Sequence, residues 1–208
     1  MRGPYTWDQA SFSYRGARGR YVSAKDVRHA LDDALDAAGK RMRAHGEALR
    51  EGRISLAEWQ TRMARDIKSV HLYSAAAAKG GWAQMTPADY GRAGQKIRAQ
   101  YEFLRKRAAA VASGRTPLGS VPWISALYAQ PARGTYHAAE AREMGLRGFT
   151  EERNVRDARD SCPGCLAQTD RDWVPLGELV PVGQRDCKGS CRCLITYRNP
   201  VTGESRAA

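Results

Sequence analysis

Apolar residues recur at three- and four-residue steps through most of the first 147 positions. Val27, Ala30, Leu31, Ala34, Leu35, Ala38 and Met42 form one such stripe, opposite Asp32, Asp33, Asp36, Lys40, Arg41 and Arg43. This is helix periodicity. Ser23 followed by Asp26 is a capping-box variant, so a helix is predicted to start at 23, run to about Arg50 and stop at Gly52. Ser55 and Glu58 repeat the start signal. Leu56, Trp59, Met63, Ile67, Val70 and the alanines at 75–78 carry a second stripe as far as Gly80-Gly81. The short turn between the two stripes makes an αα-hairpin. Four successive alanines let another backbone come close, which predicts a helix–helix contact there.

Thr86-Pro87 opens a third helix over about 87–112, with Tyr90, Ile97, Tyr101, Leu104, Ala108 and Val111 on its apolar face. Its other face carries Arg92, Lys96, Arg98, Arg105, Lys106 and Arg107. That face reads either as a docking surface for nucleic acid or an acidic partner, through Arg98, Arg105 and Lys106, or as an ordinary solvated side. A fourth stripe over about 122–147 holds Trp123, Leu127, Tyr128, Tyr136, Ala139 and Met144, with Pro131 expected to kink or split it. His71 sits mid-helix with no second His at a ligand spacing and reads as a packing residue.

Both ends of the chain depart from this period. Residues 1–22 are aromatic and Gly/Arg-rich, and an extended arm without regular structure is expected. It reads as a partner-docking arm, with Tyr14 and Tyr21 as anchors and Arg15, Arg18 and Arg20 as charge, or as a loosely packed tail. From Phe149 the texture turns polar, with strand potential near Val155. WVPLGELVPVG is too Pro-rich for a helix and suits short strands or turns. Cys193–Tyr197 reads as a strand, and 199–208 as a loose tail. The predicted class is mainly α: an antiparallel helical bundle over 23–148 followed by a small Cys-rich β module over 149–198.

All five cysteines, Cys162, Cys165, Cys187, Cys191 and Cys193, fall in that last segment. They form two knuckles, C-P-G-C and C-x-x-x-C-x-C, separated by the 21 residues Leu166 to Asp186. A Cys-x-x-Cys turn points two thiolates at one centre, and two such turns brought together make a tetrahedral zinc site. Structural Zn2+ is therefore the favoured cofactor, held by Cys162, Cys165, Cys187 and one of Cys191 or Cys193. Disulfides, or free or redox-active thiols, are the alternatives.

Charge separates the two halves. The net charge is +12, yet from Arg156 onward eight Lys/Arg face seven Asp/Glu, so nearly all the excess lies in the helical part. Such a field favours nucleic acid or an acidic protein surface. No run is apolar enough to span a bilayer, and the opening MRGPYTWDQA has no signal-peptide character, so synthesis in a reducing cytosol is expected. The sequence carries no P-loop, G-x-S-x-G, H-E-x-x-H or dinucleotide fingerprint. Enough thiols are present to close a metal shell, which favours a structural site over a catalytic one, and a non-enzymatic protein is expected.

The C-terminal residues Cys162-Pro-Gly-Cys165, then Val180-Pro181-Val182-Gly183, then Cys191-Arg192-Cys193 leading into LITYR, resemble the end of tailed-phage minor head proteins of the Mu F-like head-morphogenesis family. Where that family commonly has His-Pro before C-R-C, this chain has Cys187-Lys-Gly-Ser, and the resemblance implies Cys187 as the ligand in the His position. The resemblance covers roughly 40 to 50 residues. It implies a virion protein of the phage head, made in the bacterial cytoplasm and present in a multi-copy assembly with capsid or portal proteins, and with packaged DNA nearby. The alternative that the residues leave open is a zinc-containing nucleic-acid-binding protein using the basic helical region.

Overall fold

The computed structural model describes residues 5–8, 13–156, 161–182, 184–186 and 193–207. They form a mainly helical protein with two small antiparallel sheets.

The helix limits are set by local capping chemistry. Helix α1 spans Ala24–Arg50. At its start the Asp26 N–H donates to Ser23 Oγ and the Ser23 N–H donates to Asp26 Oδ2, each at 3.1 Å. This satisfies two of the amide donors that a helix start leaves unpaired. Helix α2, Leu56–Lys79, begins where the Glu58 N–H donates to Ser55 Oγ at 3.1 Å, and ends at Gly80 in the left-handed region, φ 86°. Helix α3, Pro87–Ala112, repeats the reciprocal cap with Thr86 and Asp89. The fourth stripe divides as Pro131 requires, into α4 (Val121–Leu127) and α5 (Ala132–Leu146).

The core lies between these helices. Val27, Leu31, Leu35, Ala38 and Met42 of α1 meet Trp59, Met63 and Ile67 of α2, all 1% exposed or less. Ala75–Ala78 are buried where α2 packs on α5 and α3. With only methyl groups on that face, the backbones can approach closely. Near this contact Lys79 is buried between the carboxylates of Asp89, at 3.3 Å, and Glu143. Trp123, Leu127 and Tyr90 were expected on buried stripes but are 59%, 44% and 42% exposed. Helix α4 instead turns Val121, Pro122 and Ser125 inward.

The N-terminal arm is corrected. Residues 5–22 contain three strands, β1 (Tyr5–Asp8), β2 (Ser13–Gly16) and β3 (Tyr21–Val22), paired antiparallel in that order. Tyr14 of β2 enters the helical core at 7% exposure, so its ring area is spent inside this chain.

The second sheet follows α5. Strand β4 (Glu151–Val155) is succeeded by a short helix α6 (Pro163–Thr169), then β5 (Val174–Pro175), β6 (Leu194–Arg198) and β7 (Ser205–Ala207), in spatial order β5-β4-β6-β7. β7 corrects the expectation of a loose tail, since Ser205 pairs with Arg198 and Ala207 with Thr196. Trp173 is stacked by the Arg153 and Arg198 guanidinium groups, at 4.8 and 4.4 Å from its ring centre. A second apolar cluster, containing Met144, Phe149, Val174, Leu179, Val182, Ile195 and Tyr197, fills the space between this sheet, α6 and the end of α5. Among the described residues no helix is long and apolar enough to cross a membrane.

Candidate metal centre

The Cys-Pro-Gly-Cys segment is the first turn of α6 rather than a free-standing bend. Cys162 is its N-cap and Pro163 its first residue, a position where a missing N–H costs nothing. Cys162 is half-buried, while Cys165 and Cys193 are 1% and 6% exposed. All three belong to the second apolar cluster, so the start of α6 and the start of β6 converge there. Cys187 and Cys191 lie outside the described residues. Just before Cys187, the Gly164 N–H donates to Asp186 Oδ2 at 2.7 Å. A Cβ at position 164 would lie 2.9 Å from that carboxylate oxygen, so any larger residue there displaces the Asp186 side chain.

The surroundings of Cys165 are polar despite their burial. Strand β4 turns Glu152 and Asn154 inward, 5% and 1% exposed. Asn154 Nδ2 donates to Thr169 Oγ1 at 2.7 Å and to the Cys165 carbonyl at 3.3 Å, and its Oδ1 accepts from Arg185 Nη1 at 2.6 Å. Arg185 Nε donates to the Val180 carbonyl at 2.8 Å, and Nη1 also lies 3.8 Å from Cys165 Sγ. Glu152 Oε1 accepts the Gly177 and Leu179 N–H groups, both at 3.0 Å, which fixes the Val/Pro/Gly loop over the cluster. Burial pushes the Glu152 carboxyl above its ordinary pKa, partly opposed by those two donors. On the α5 side Tyr136 OH donates to Glu140 Oε1 at 2.8 Å, and burial, with Glu140 and Glu152 nearby, holds the Tyr197 hydroxyl well above its usual pKa.

Among the described residues no three His, Cys, Asp or Glu side chains form a metal-ligand group by themselves. The donor set nevertheless suits a thiophilic ion: three cysteines in one cluster and two more in the adjoining segment. Cys162 and Cys165 at the start of α6, with Cys187 and either Cys191 or Cys193, are the residues that would hold it.

The remaining candidate residues sit on separate surfaces. Tyr21 is 67% exposed, Arg18 and Arg20 are exposed in the turn before β3, and Arg15 pairs with Asp8 at 3.4 Å. Arg98, Arg105 and Lys106 all face solvent on α3, beside Phe103 at 59% exposure, and Arg98 lies 3.8 Å from Glu102. Sequence reasoning missed Asn154, Arg185 and Asp186. The available signal was β4 itself, where Glu152 and Asn154 take the alternate, inward-facing positions in EERNV that apolar residues normally hold.

No protein-family model matches the chain, and no curated protein or solved structure matches it either.

Proposed function

We propose that this chain is a non-enzymatic structural protein of a tailed-phage head, a minor capsid, head-morphogenesis or portal-proximal component. In this reading its C-terminal module is a clasp closed by thiolate-bound Zn2+. Four thiolates drawn from Cys162, Cys165, Cys187, Cys191 and Cys193 hold the ion, and its binding energy contributes to folding of the module. The helical body presents its outer faces to capsid or portal protein. The observation that carries the metal reading is the Gly164–Asp186 hydrogen bond, which holds the residue before Cys187 against the turn containing Cys162 and Cys165. The head assignment rests on the Cys-Pro-Gly-Cys and Cys-Arg-Cys resemblance.

Elemental analysis of the purified, reduced protein tests the clasp: about one zinc per chain is expected, with loss of the module's folding on chelation. A folded, metal-free module would refute it. Mass spectrometry of purified particles from the encoding phage tests the head assignment, which predicts the chain among the virion proteins.

A second reading, a zinc-containing nucleic-acid-binding protein, draws on the solvent-facing Arg98, Arg105 and Lys106 around the exposed Phe103 ring. Aromatic rings among cations suit single-stranded nucleic acid. This reading predicts DNA affinity that falls steeply with salt, while docking through an apolar face does not.

A further inference from the structure

Helices α3 and α5 both pack on α2 but barely touch each other. The furrow between them holds a cavity of about 240 Å3. Its apolar lining is four methyl groups, from Ala75 on α2, Ala93 on α3, and Ala138 and Ala139 on α5. Side chains this small leave the space open. Its charged lining is mostly cationic, with Arg92, Lys96 and Arg142 against Asp89. Asp89 is already engaged, by Arg92 Nη2 at 2.5 Å and Lys79 Nζ at 3.3 Å. Lys96 and Arg142 face solvent, and among the described residues no carboxylate lies within ion-pair distance of either. The Lys96 charge is also felt inside. Thr135 lines the cavity, and behind it His71 Nδ1 meets Thr135 Oγ1 at 2.7 Å. Burial, and after it the Lys96 ammonium, disfavours protonation of that ring.

Two uncompensated cations beside an apolar surface complement a carboxylate that has a short apolar neighbour. The cavity is smaller than the roughly 300–1,000 Å3 typical of small-molecule sites and has room for one or two side chains. No aromatic ring is among its described lining residues, so it does not offer the stacking that single-stranded nucleic acid uses. We infer that the α3–α5 furrow receives an acidic segment of a partner protein, with an Asp or Glu carboxylate held by Lys96 and Arg142 and an adjoining apolar side chain against the alanines. The inference sharpens the docking role proposed above for the helical body, and it needs neither the cysteine segment nor a metal. Arg98, Arg105 and Lys106 are not among the furrow's lining residues, so this surface is separate from the basic patch around Phe103.

The experiment titrates the full-length reduced chain, at physiological salt, with capped pentapeptides that place one Glu or Asp beside Ala, Val or Leu. Alanine methyl NMR signals report binding. Saturable shifts at Ala75, Ala93 and Ala139 are expected with at least one peptide. Lys96→Glu and Arg142→Glu, both at solvent-facing positions, should each weaken binding about 10-fold. Arg98→Glu and Arg105→Glu make the same charge change on α3 outside the furrow, and should leave affinity within about 2-fold because salt screens the distant charge. Ala138→Leu fills the space at an exposed helix position without changing charge, and should also weaken binding. Failure of every peptide to bind overturns the inference. So does wild-type affinity in Ala138→Leu, or an equal loss in Arg98→Glu and Lys96→Glu. Displacement of the peptide by oligothymidylate would assign the furrow to nucleic acid, and butyrate binding as tightly as the peptides would make it a small-molecule site; either result overturns the inference. None of these outcomes touches the head assignment, which mass spectrometry of particles decides.

Discussion

The indole N–H of Trp59 donates to the Ser125 hydroxyl at 3.1 Å, joining α2 to α4 across 66 positions of sequence with both groups fully buried. The same hydroxyl lies beside Gly46 of α1, where a Cβ would come within 2.8 Å of Ser125 Oγ and 2.6 Å of Pro122 Cα. A glycine inside a helix costs roughly 1 kcal/mol relative to alanine. Here it is what allows α4 to lie against α1.

Gly46→Ala therefore runs against helix propensity. The clash is with backbone, which cannot rotate away, and overpacking of this kind costs about 1–3 kcal/mol. A lower denaturation midpoint is expected despite the better helix former. Gly94→Ala on α3, where a Cβ meets nothing within 4 Å, should hold or raise the midpoint.

Lys79 compensates two buried acids at once. Lys79→Met leaves Asp89 and Glu143 facing each other's side of the α2–α3–α5 contact without their shared cation, and a loss of about 3–5 kcal/mol is expected by chemical denaturation. Asp89 also gives an acid signature. Burial acts to raise its pKa, but hydrogen bonds from Thr86, Arg92 and Lys79 outweigh it and hold the carboxyl well below the ordinary value. A depressed carboxylate contributes stability that is present above its unfolded pKa and is lost as pH falls through the folded one. Asp89→Asn should flatten the decline of stability below about pH 4.

His71 works in the adjacent pH range. Burial, with Lys96 nearby, lowers its pKa to about 4, and Nδ1 meets Thr135 Oγ1 at 2.7 Å. The unfolded chain takes up this proton at higher pH than the folded one. Stability is therefore complete above about pH 6.5 and falls progressively as pH drops towards 4, by on the order of 3 kcal/mol. His71→Gln should remove that part of the slope, read as the difference in unfolding free energy between pH 7 and pH 4.5.

Tyr14 and Tyr21, both expected to anchor a partner, should separate cleanly. Tyr14 is buried in the helical core, so Tyr14→Ala is expected to cost about 3–5 kcal/mol of stability. Tyr21 is exposed, so Tyr21→Ala should change stability by less than about 0.5 kcal/mol. Under the head proposal, Tyr21→Ala lowers incorporation of the chain into particles, measured by quantitative mass spectrometry.

The helices were legible to within a residue or two because their limits are written in contacts of three or four residues: Ser23 with Asp26, Ser55 with Glu58, Thr86 with Asp89, and Pro131 between α4 and α5. The cysteine segment was legible as chemistry through spacing alone. Its scaffold was not. Asn154 and Arg185 stand 31 positions apart and acquire meaning only when β4 and the loop before Cys187 come together. The N-terminal strands were missed for the same reason. Tyr5, Ser13 and Tyr21 lie in segments too short for alternation to register, and they become strands only by pairing with one another.

By itself the sequence determined where the long helices begin and end, and that every thiol gathers near the carboxyl end, because capping and composition are local properties. Tertiary structure alone decided that Tyr14 turns inward while Trp123 turns out, that the last residues add a strand, and that a buried arginine comes to rest against Cys165. Those outcomes depend on which distant surfaces meet, and the energy of a buried ring, edge strand or charge belongs to that meeting rather than to the residue.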